Sequence, residues 1–376
     1  MSALTQPLPT QDRASGGPPR VGYDARFSLG EYRGMGRYLR HLLHSLPESA
    51  VGFSASGESD PTLALNARGF HFHPLWEQVS LPRRIDESGI RFFIAPYNTA
   101  PLRLPGSVKL VLVVHDLIYL RSRRELPLSR STYQNVGRLY RRWIVPRAIR
   151  RADHILCVSQ YTRQELLRRF NVAPHKITVI PNTIDASWYQ LQSSPSDYIL
   201  CVSGEAPNKN LEAALQGFAG YHRSTRDQRT QLRIAGVKPA YHHEFRRLAL
   251  ELGIAGRVEF LKFVSDAELQ SLYANARAFL FPSREEGFGV PVLEALAAGV
   301  PVVASKTSSI PEVSGSSALY FDPSAPHEIS DQLRTLLSNP SLQRSLSQLG
   351  RRRAELFHPD AVDPIISQFW DRLLLP

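Results

Sequence analysis

Short apolar runs alternate with amphipathic segments along most of the chain. In the first half, the runs that predict strands lie at residues 20–24, 70–73, 92–95, 110–114, 155–158 and 177–180. Short apolar runs of this kind are typical of strands buried in a parallel sheet. Between them, leucines at helical spacing, as at Leu39, Leu42, Leu43 and Leu46, indicate helices with one apolar face. The alternation predicts an α/β protein built on doubly wound parallel sheets.

The chain divides into two similar halves. The sequence HILCVSQ in the first half is echoed by DYILCVSG in the second, and the polar, serine-rich segment 190–196 between them is typical of a linker. A length of 376 residues also leaves room for two separate cores. We therefore predict a flexible tail over 1–19, Rossmann-like domains over 20–192 and 193–360, and a C-terminal helix over 361–376.

The composition is that of an ordinary globular protein, with 43% hydrophobic residues. No apolar run reaches the roughly 18 residues that a membrane span needs. The first twenty residues lack the basic-then-apolar order of a signal peptide. Cys157 and Cys201 lie in apolar runs, so we expect buried thiols rather than disulfides or metal ligands. These features predict a cytoplasmic protein.

A formal net charge of +11 indicates anionic partners without saying which. The most basic part of the chain interleaves aromatic residues with Arg138, Arg141, Arg142, Arg147, Arg150 and Arg151. Such a helix is typical of a surface for anionic membranes, although a solvated helix packed on the core would have the same composition. No nucleic-acid-binding module surrounds it, so no nucleic acid is expected as a partner.

The segment 278–305 combines a buried strand, a glycine-containing loop and a short helix. Gly287 and Gly289 lie in the loop, and Pro291 lies in the first helical turn, where proline is tolerated. A loop that leads into a helix at a strand end is a favourable anion site, because free backbone N–H groups and the helix dipole face the ligand. We therefore predict that this segment binds a phosphate group.

Two carboxylates frame the predicted anion site, Glu286 in the loop and Glu294 in the helix, with seven residues between them. An ionised carboxylate accepts hydrogen bonds from vicinal hydroxyls, so the pair suits a ligand with phosphates in its middle and polyols at its ends. A nucleotide sugar has that shape. The alternative is that Glu294 only complements the helix dipole and that Glu286 is a solvated charge.

This segment resembles the carboxylate signature of retaining family-4 glycosyltransferases, which have the GT-B fold. The resemblance implies that Glu286 contacts the donor sugar, that Glu294 contacts the ribose, and that the backbone of Phe288, Gly289 and Val290 contacts the diphosphate or sugar. It also implies an active site in the cleft between two Rossmann-like domains, and a C-terminal helix that packs back onto the first of them.

Other positions match the same family more weakly. Gly34 and Gly36 lie in GMGRY, where the family often has GIGRY, and the resemblance implies that this loop approaches the donor phosphate or the acceptor. Pro181 and Asn182 match a Pro-Asn-Gly pattern from which Thr183 departs, and Asn182 is the donor-binding candidate. Taken alone, a G-x-G pattern also fits a simple turn.

Two further candidates for catalysis follow strands. His115 ends a strand beside Asp116, which is a candidate to orient its imidazole, and the resemblance implies that His115 lies beside the donor sugar. Lys209 follows another strand, where its ammonium can neutralise a departing diphosphate. The family commonly has Pro-Arg-Lys-Asn there, and Asn208 replaces the arginine, which leaves one cationic contact unaccounted for.

The resemblance implies a retaining transfer of a sugar from a nucleotide sugar to a saccharide or lipid-linked saccharide. The overall pattern is most similar to bacterial mannosyltransferases that use GDP-mannose, with rhamnosyl or glucosyl transfer as alternatives. No carboxylates stand at metal-ligand spacing, so we expect no metal and no other cofactor. If the acceptor is lipid-linked, the enzyme is expected to be peripheral at the inner face of the cytoplasmic membrane. A basic nucleic-acid-binding protein with an inert Rossmann core is the alternative of another class.

Overall fold

The computed structural model describes residues 20–30, 34–46, 49–129, 131–225, 227, 229–262 and 264–374. The predicted tail over 1–19 lies outside these residues. Both sheets that the structure describes consist of parallel strands, which confirms the predicted doubly wound α/β class.

The first sheet has seven strands in the order β3-β2-β1-β4-β5-β6-β7. They are β1 (Val21–Asp24), β2 (Ala50–Ser54), β3 (Leu65–Ala67), β4 (Phe92–Ala95), β5 (Lys109–Val114), β6 (His154–Cys157) and β7 (Ile177–Val179). The helices of this half are α1 (Met35–His44), α2 (His73–Leu75), α3 (Leu81–Ser88), α4 (Thr132–Arg151) and α5 (Gln160–Arg169). A π-helical segment, Trp76–Ser80, joins α2 to α3.

The second sheet has six strands in the order β10-β9-β8-β11-β12-β13. They are β8 (Tyr198–Val202), β9 (Gln231–Ala235), β10 (Val258–Phe260), β11 (Ala278–Phe281), β12 (Val302–Ser305) and β13 (Ala318–Phe321). The helices are α6 (Leu211–Ser224), α7 (His242–Glu251), α8 (Asp266–Ala274), α9 (Val290–Ala297), α10 (Ile310–Ser314), α11 (Pro326–Leu337), α12 (Pro340–Ala354) and α13 (Pro359–Leu374). Of the helices in the described ranges, none combines the length and apolar character needed to cross a bilayer.

The strand order reverses at β1 and β4 in the first sheet and at β8 and β11 in the second. Open parallel sheets bind ligands at such switch points, outside the carboxyl ends of the strands. His115 follows β5, Lys209 lies in the turn after β8, and Glu286 lies in the loop after β11. The topology therefore gathers candidate residues that are distant in sequence.

The strand predicted over 70–73 is wrong. Phe70 and Phe72 are exposed, and His73 begins α2 with Pro74 in its first turn, where the missing N–H of proline costs nothing. The outer strands of this part of the sheet are instead β2 and β3, which the sequence analysis missed. β3 has only three residues, all half-buried, so it lacks the strong apolar run of the inner strands.

α13 runs from the second half back onto the first. The indole N–H of Trp370 donates to the carbonyl oxygen of Leu42 at 3.0 Å, and Nε2 of His41 lies 2.6 Å from the carboxylate of Asp363. A hydrophobic cluster that includes Leu42, Phe281 and Trp370 runs through both halves. The predicted domain boundary at 192–193 stays a prediction.

Candidate active site

The loop between β11 and α9, residues 282–289, is the centre of the site. Gly289 has a φ of 99°, in the left-handed region that glycine adopts without strain, and this turn directs the chain into α9. The backbone N–H of Glu286 donates to Ser308 at 3.0 Å, and the hydroxyl of Ser309 donates to the carbonyl oxygen of Glu286 at 3.0 Å. The β11–α9 loop is therefore held in place from the side of α10.

Lys209 and Glu286 form an ion pair across the ends of β8 and β11. Their charged atoms, Nζ and Oε1, are 2.8 Å apart, and the side chain of Glu286 is only 12% exposed. Asn210, beside Lys209, donates from its side-chain amide to the carbonyl oxygen of Pro282 at 3.0 Å. Two of the three predicted catalytic residues are thus in direct contact, because β8 and β11 are neighbours in the sheet.

The β11–α9 loop also touches the first half of the chain. A Cβ placed on Gly287 would lie 1.7 Å from the carbonyl oxygen of His115, closer than any real contact, so this approach requires glycine. The hydroxyl of Ser159 donates to the carbonyl oxygen of Gly287 at 2.6 Å, and Thr162 donates to it at 3.3 Å. The end of β5 and the start of α5 therefore form the facing wall of the site.

His115 is buried in that wall. Its Nε2 lies 2.8 Å from the carbonyl oxygen of Pro96, and its backbone N–H donates to Oδ1 of Asn98 at 2.6 Å. Because a carbonyl only accepts, Nε2 must carry the proton, which leaves Nδ1 as an acceptor. Burial lowers the pKa of His115 to about 4. The imidazole is therefore neutral at physiological pH.

Asp116 does not orient this imidazole, contrary to the role considered from the sequence. Its Oδ1 accepts from the backbone N–H of Ile118 at 3.1 Å, while Pro96 holds the ring of His115. Burial, with a smaller contribution from the nearby carboxylates of Glu286 and Glu285, raises the pKa of Asp116 to about 6. The short side chain of aspartate reaches the amide two residues on more readily than a neighbouring ring.

Further donor-binding candidates are Glu294, Phe288, Val290 and Asn182. Glu294 is buried in α9 beside Tyr273, whose pKa is raised well above its usual value by burial and by this carboxylate. Phe288 packs edge to face on Phe357, with ring centroids 5.4 Å apart. Val290 begins α9 and Asn182 is buried.

Gly34 and Gly36 lie at the start of α1. Gly34 caps the helix with a φ of 45°, and no described atom beyond its chain neighbours lies within 4 Å of the position that its Cβ would occupy. Gly36 is buried inside the first turn. Residues 31–33 before this helix end lie outside the described residues.

Two contacts between the halves were not predicted from the sequence. Nε of Arg121 lies 2.7 Å from the carboxylate of Glu285, and the same guanidinium lies 3.2 Å from Glu165. Glu312 on α10 accepts from the backbone N–H groups of Gln160 and Tyr161 at 2.7 and 2.9 Å, and so caps α5 from the other half. The only sequence hint was the position of Glu285 next to Glu286.

Asn208, at the position where the family commonly has arginine, makes a structural contact instead. Its side-chain amide donates to the carbonyl oxygen of Glu285 at 3.3 Å, and its own carbonyl oxygen accepts from the backbone N–H of Arg284 at 2.7 Å. The turn that carries Lys209 is thereby joined to the β11–α9 loop.

Together these groups can bind an anion with hydroxyls beside it. The ammonium of Lys209 and the amino end of α9 favour a phosphate, while Glu286 and the neutral imidazole of His115 can accept from hydroxyls. Within the described ranges, no group of three or more His, Cys, Asp or Glu side chains is arranged to hold a metal ion.

Two family models match consecutive parts of the chain. The model described as Glycosyltransferase Family 4 matches residues 32–188, and the model described as Glycosyl transferases group 1 matches residues 189–353. Their junction lies close to the segment 190–196 that the sequence predicts as a linker.

Similar proteins include two with names that describe mannosyl transfer. O-antigen chain mannosyltransferase RfbU of Salmonella typhimurium is 29% identical over 223 residues, covering 58% of this chain and 62% of that protein. The chain thus spans less than two thirds of that relative's length. A GDP-mannose-dependent alpha-(1-6)-phosphatidylinositol monomannoside mannosyltransferase of Mycobacterium tuberculosis is 26% identical over 374 residues, covering 89% of this chain and 90% of that protein.

Among solved structures, Anabaena Alr3699/HepE in complex with UDP and glucose has a similar fold. Its TM-score is 0.69 at 17% sequence identity, and the match covers 95% of this chain and 99% of that chain.

Proposed function

This chain, which has the GT-B fold, belongs to the family-4 glycosyltransferases, and we propose that it transfers mannose from a nucleotide sugar to a saccharide or lipid-linked saccharide in glycan biosynthesis. The observation that carries the proposal is the ion pair of Lys209 and Glu286 at 2.8 Å, at a strand switch point and facing His115. Family membership favours this activity over the alternative of a basic nucleic-acid-binding protein.

Lys209 has the role of neutralising the departing diphosphate. Without a donor its ammonium is satisfied by Glu286, and a bound diphosphate offers it a stronger anionic partner. Glu286 then becomes available to accept hydrogen bonds from the donor sugar. The amides of Phe288, Gly289 and Val290 at the amino end of α9 add donors to the diphosphate, and Glu294 accepts from the ribose hydroxyls.

His115 orients the donor sugar. Its proton is held on Nε2 by Pro96 at 2.8 Å, so Nδ1 is a fixed acceptor for a sugar hydroxyl. The proposed role of Gly34 and Gly36, at the start of α1, is contact with the phosphates or the acceptor, and that of the buried Asn182 is a further donor contact. These groups hold the donor rather than exchange protons with it.

The reaction is a displacement with retention at the anomeric carbon. The bond from this carbon to the diphosphate oxygen breaks, and a bond to the acceptor oxygen forms on the same face. The proton of the acceptor hydroxyl passes to the departing phosphate oxygen. Lys209 and the α9 amides stabilise the charge that develops on that oxygen in the transition state.

GDP-mannose is the favoured donor. This choice is supported by the names of the two similar proteins described above. Both names describe mannosyl transfer, and that of the Mycobacterium tuberculosis protein specifies GDP-mannose. Rhamnosyl or glucosyl transfer is the second candidate, because a protein of similar fold is described in complex with UDP and glucose.

An anionic membrane surface is proposed as a further partner through α4. Trp143 is 52% exposed with the guanidinium carbon of Arg147 4.4 Å from its ring centroid, and Arg150 is exposed on the same helix. Further exposed apolar residues of this helix are Tyr133, Val136 and Leu139. Arg138 and Arg142 instead donate to the backbone carbonyl oxygen of Arg121, which precedes α4 in the chain. The support for a membrane surface therefore comes from Trp143, Arg147 and Arg150 and not from every arginine of the basic segment.

A panel of nucleotide sugars tests the proposed function. The protein is incubated with GDP-mannose, UDP-glucose or dTDP-rhamnose in the presence of a saccharide acceptor, while thermal stabilisation and release of the nucleoside diphosphate are measured. We expect stabilisation and turnover with GDP-mannose first, and NMR of the product should show the retained anomer. Absence of both effects with every donor would contradict the proposal.

A further inference from the structure

A second group of polar side chains lies at the carboxyl ends of β1 and β4, on the ligand-binding edge of the first sheet. Asp24 ends β1, and the guanidinium of Arg26 contacts its two carboxylate oxygens at 3.0 and 2.6 Å. Both side chains are nearly buried. Because the charges of Asp24 and Arg26 neutralise each other, this cluster does not require a charged ligand.

His73 borders this pair and presents a hydrogen-bond donor. Its Nδ1 accepts from Arg26 at 2.8 Å, so Nε2 carries the proton. Among the residues that the structure describes, Nε2 has no hydrogen-bond acceptor, and Oε1 of Glu77 lies 3.9 Å away, beyond hydrogen-bond distance. Burial, and then the charge of Arg26, lower the pKa of His73 to about 4. The 30% exposed side chain therefore offers a neutral N–H group.

Glu77 fixes the surroundings of His73. This buried carboxylate accepts from the hydroxyl of Tyr140 at 2.6 Å and from the side-chain amide of Gln78 at 2.9 Å, and Thr99 also donates to it. α4, the π-helical segment and the segment after β4 are thus joined at one residue. The residues beside His73 are therefore held by hydrogen bonds from three parts of the fold.

Phe27 is an exposed aromatic residue beside His73. It is 49% exposed, yet its backbone N–H donates to the hydroxyl of Tyr97 at 3.1 Å. Its ring also packs edge to face on Tyr97, with centroids 4.7 Å apart, and lies 6.4 Å from the ring of His73. The ring is therefore held by its neighbours while half of its surface stays accessible.

The segment 96–99 connects this group to the candidate active site. Pro96 and Asn98 hold His115, while Tyr97 between them holds Phe27. The fixed ring and the catalytic-site imidazole are therefore supported by the same short stretch of backbone. A molecule bound at Phe27 would lie on the same sheet edge as the donor sugar.

We propose that Phe27 and His73 form a subsite for a neutral pyranose of the acceptor. The C–H face of the sugar packs on the ring of Phe27, and a ring hydroxyl accepts from Nε2–H of His73. An apolar surface with a few fixed polar groups is the usual composition of a small-molecule site. The inference rests on the proposed transferase function and specifies its acceptor as a saccharide without charge at this position.

Binding of methyl α-D-mannopyranoside tests the subsite directly, without a donor. Saturation-transfer NMR is measured on the wild-type chain and on Phe27→Ala and His73→Gln. We expect each substitution to weaken binding by about tenfold, as for the loss of one good contact. Phe27→Tyr keeps the ring and should restore binding. Leu250→Ala and His243→Gln, both exposed on α7, are the matched controls.

Stabilisation by GDP or UDP is measured on the same variants to report on the donor side. Unchanged glycoside binding in both variants would overturn the subsite, as would failure of the wild-type chain to bind the glycoside. If Phe27→Ala lost binding to anionic vesicles but kept binding to the glycoside, the ring would belong to a membrane surface, and the subsite would also be overturned. Failure of the transferase proposal has a different signature, which is absence of turnover with every nucleotide sugar.

Discussion

The hydroxyl of Ser159 donates to the carbonyl oxygen of Gly287 at 2.6 Å, and these residues are separated by 128 positions in the chain. The same hydroxyl oxygen accepts from the backbone N–H of Thr162 at 3.0 Å, so it also begins α5. One buried side chain therefore caps a helix in the first half and holds the β11–α9 loop of the second. The loop that carries Glu286 depends on both halves for its position.

Gly287→Ala should push the β11–α9 loop away from the first half of the chain. Its new Cβ would lie 1.7 Å from the carbonyl oxygen of His115, and Gly287 has no positive φ that would strain alanine locally. We expect transfer to fall by about a hundredfold or more, the effect of misplacing reacting groups by an ångström. Turnover of the preferred donor is the measurement.

Gly106→Ala is the matched control for this change, because no described atom beyond its chain neighbours lies within 4 Å of its Cβ position. Binding of the nucleoside diphosphate should change much less than turnover in Gly287→Ala, since the anion site lies within the second half. Near-normal turnover would show that the contact of Gly287 with His115 is dispensable.

Lys209→Ala and Glu286→Ala should remove activity while leaving the fold intact. Loss of one preorganised charge at a departing group lowers the rate by about 10²–10³-fold. Glu294→Ala should raise the KM for the donor more than it lowers kcat, because ribose contacts exist before and during the reaction. Lys238→Ala, which breaks an ion pair with Glu205 at 3.3 Å, is the control. Full turnover of Lys209→Ala or Glu286→Ala at saturating donor would contradict the site assignment.

EDTA should leave transfer unchanged. Lys209 and the amino end of α9 supply the positive charge that a divalent ion provides in other transferases. Initial rates are compared in the presence of EDTA and after addition of Mg²⁺ or Mn²⁺. A rate that disappears with EDTA and returns with either ion would reveal a metal site.

The stability of the protein should depend on His115 in mildly acidic solution. The pKa of His115 is lowered from 6.5 to about 4, so the unfolded chain binds more protons than the folded chain in this range. This residue therefore costs stability as the pH falls through that window. Asp116, with its pKa raised from 3.8 to about 6, has the opposite effect and costs stability as the pH rises.

Urea unfolding of His115→Asn at several pH values separates the two effects. The slope of the unfolding free energy against pH reports how many more protons the unfolded chain binds than the folded chain. In His115→Asn we expect this difference to fall by up to about one proton in mildly acidic solution, so that the opposite contribution of Asp116 remains. His243→Asn, at an exposed position, controls for loss of a histidine. An unchanged slope in His115→Asn would show that the imidazole is not held neutral.

Anionic vesicles should bind the protein through α4 in a salt-sensitive manner. Each suitably placed arginine contributes roughly 1 kcal/mol, which salt screens. We expect Trp143→Ala and the double change Arg147→Ala with Arg150→Ala to reduce sedimentation with anionic vesicles. Arg344→Ala with Arg352→Ala removes the same charge from exposed positions on α12. Equal sedimentation with neutral and anionic vesicles at low and high salt would remove the membrane hypothesis.

The sequence alone predicted the α/β class and most of the strands and helices, since these depend on local periodicity. The strand Ala278–Phe281 and the helix Asp266–Ala274 lie at the residues that the pattern indicates. The local pattern also placed Lys209, Glu286 and His115 at the ends of buried strands, because a strand that ends in polar residues ends at a sheet edge. It failed for the short strand β3, which has no fully buried residue.

The tertiary structure alone decided which of these ends meet. β8 lies beside β11 although two strands separate them in the chain, and this order brings Lys209 to Glu286. The pairing of Arg121 with Glu285 spans 164 positions and has no periodic signal. Likewise, Asp116 and His115 are adjacent in sequence but bind different partners. Strand order and side-chain partners depend on packing between distant segments, which a local pattern of apolar and polar residues does not record.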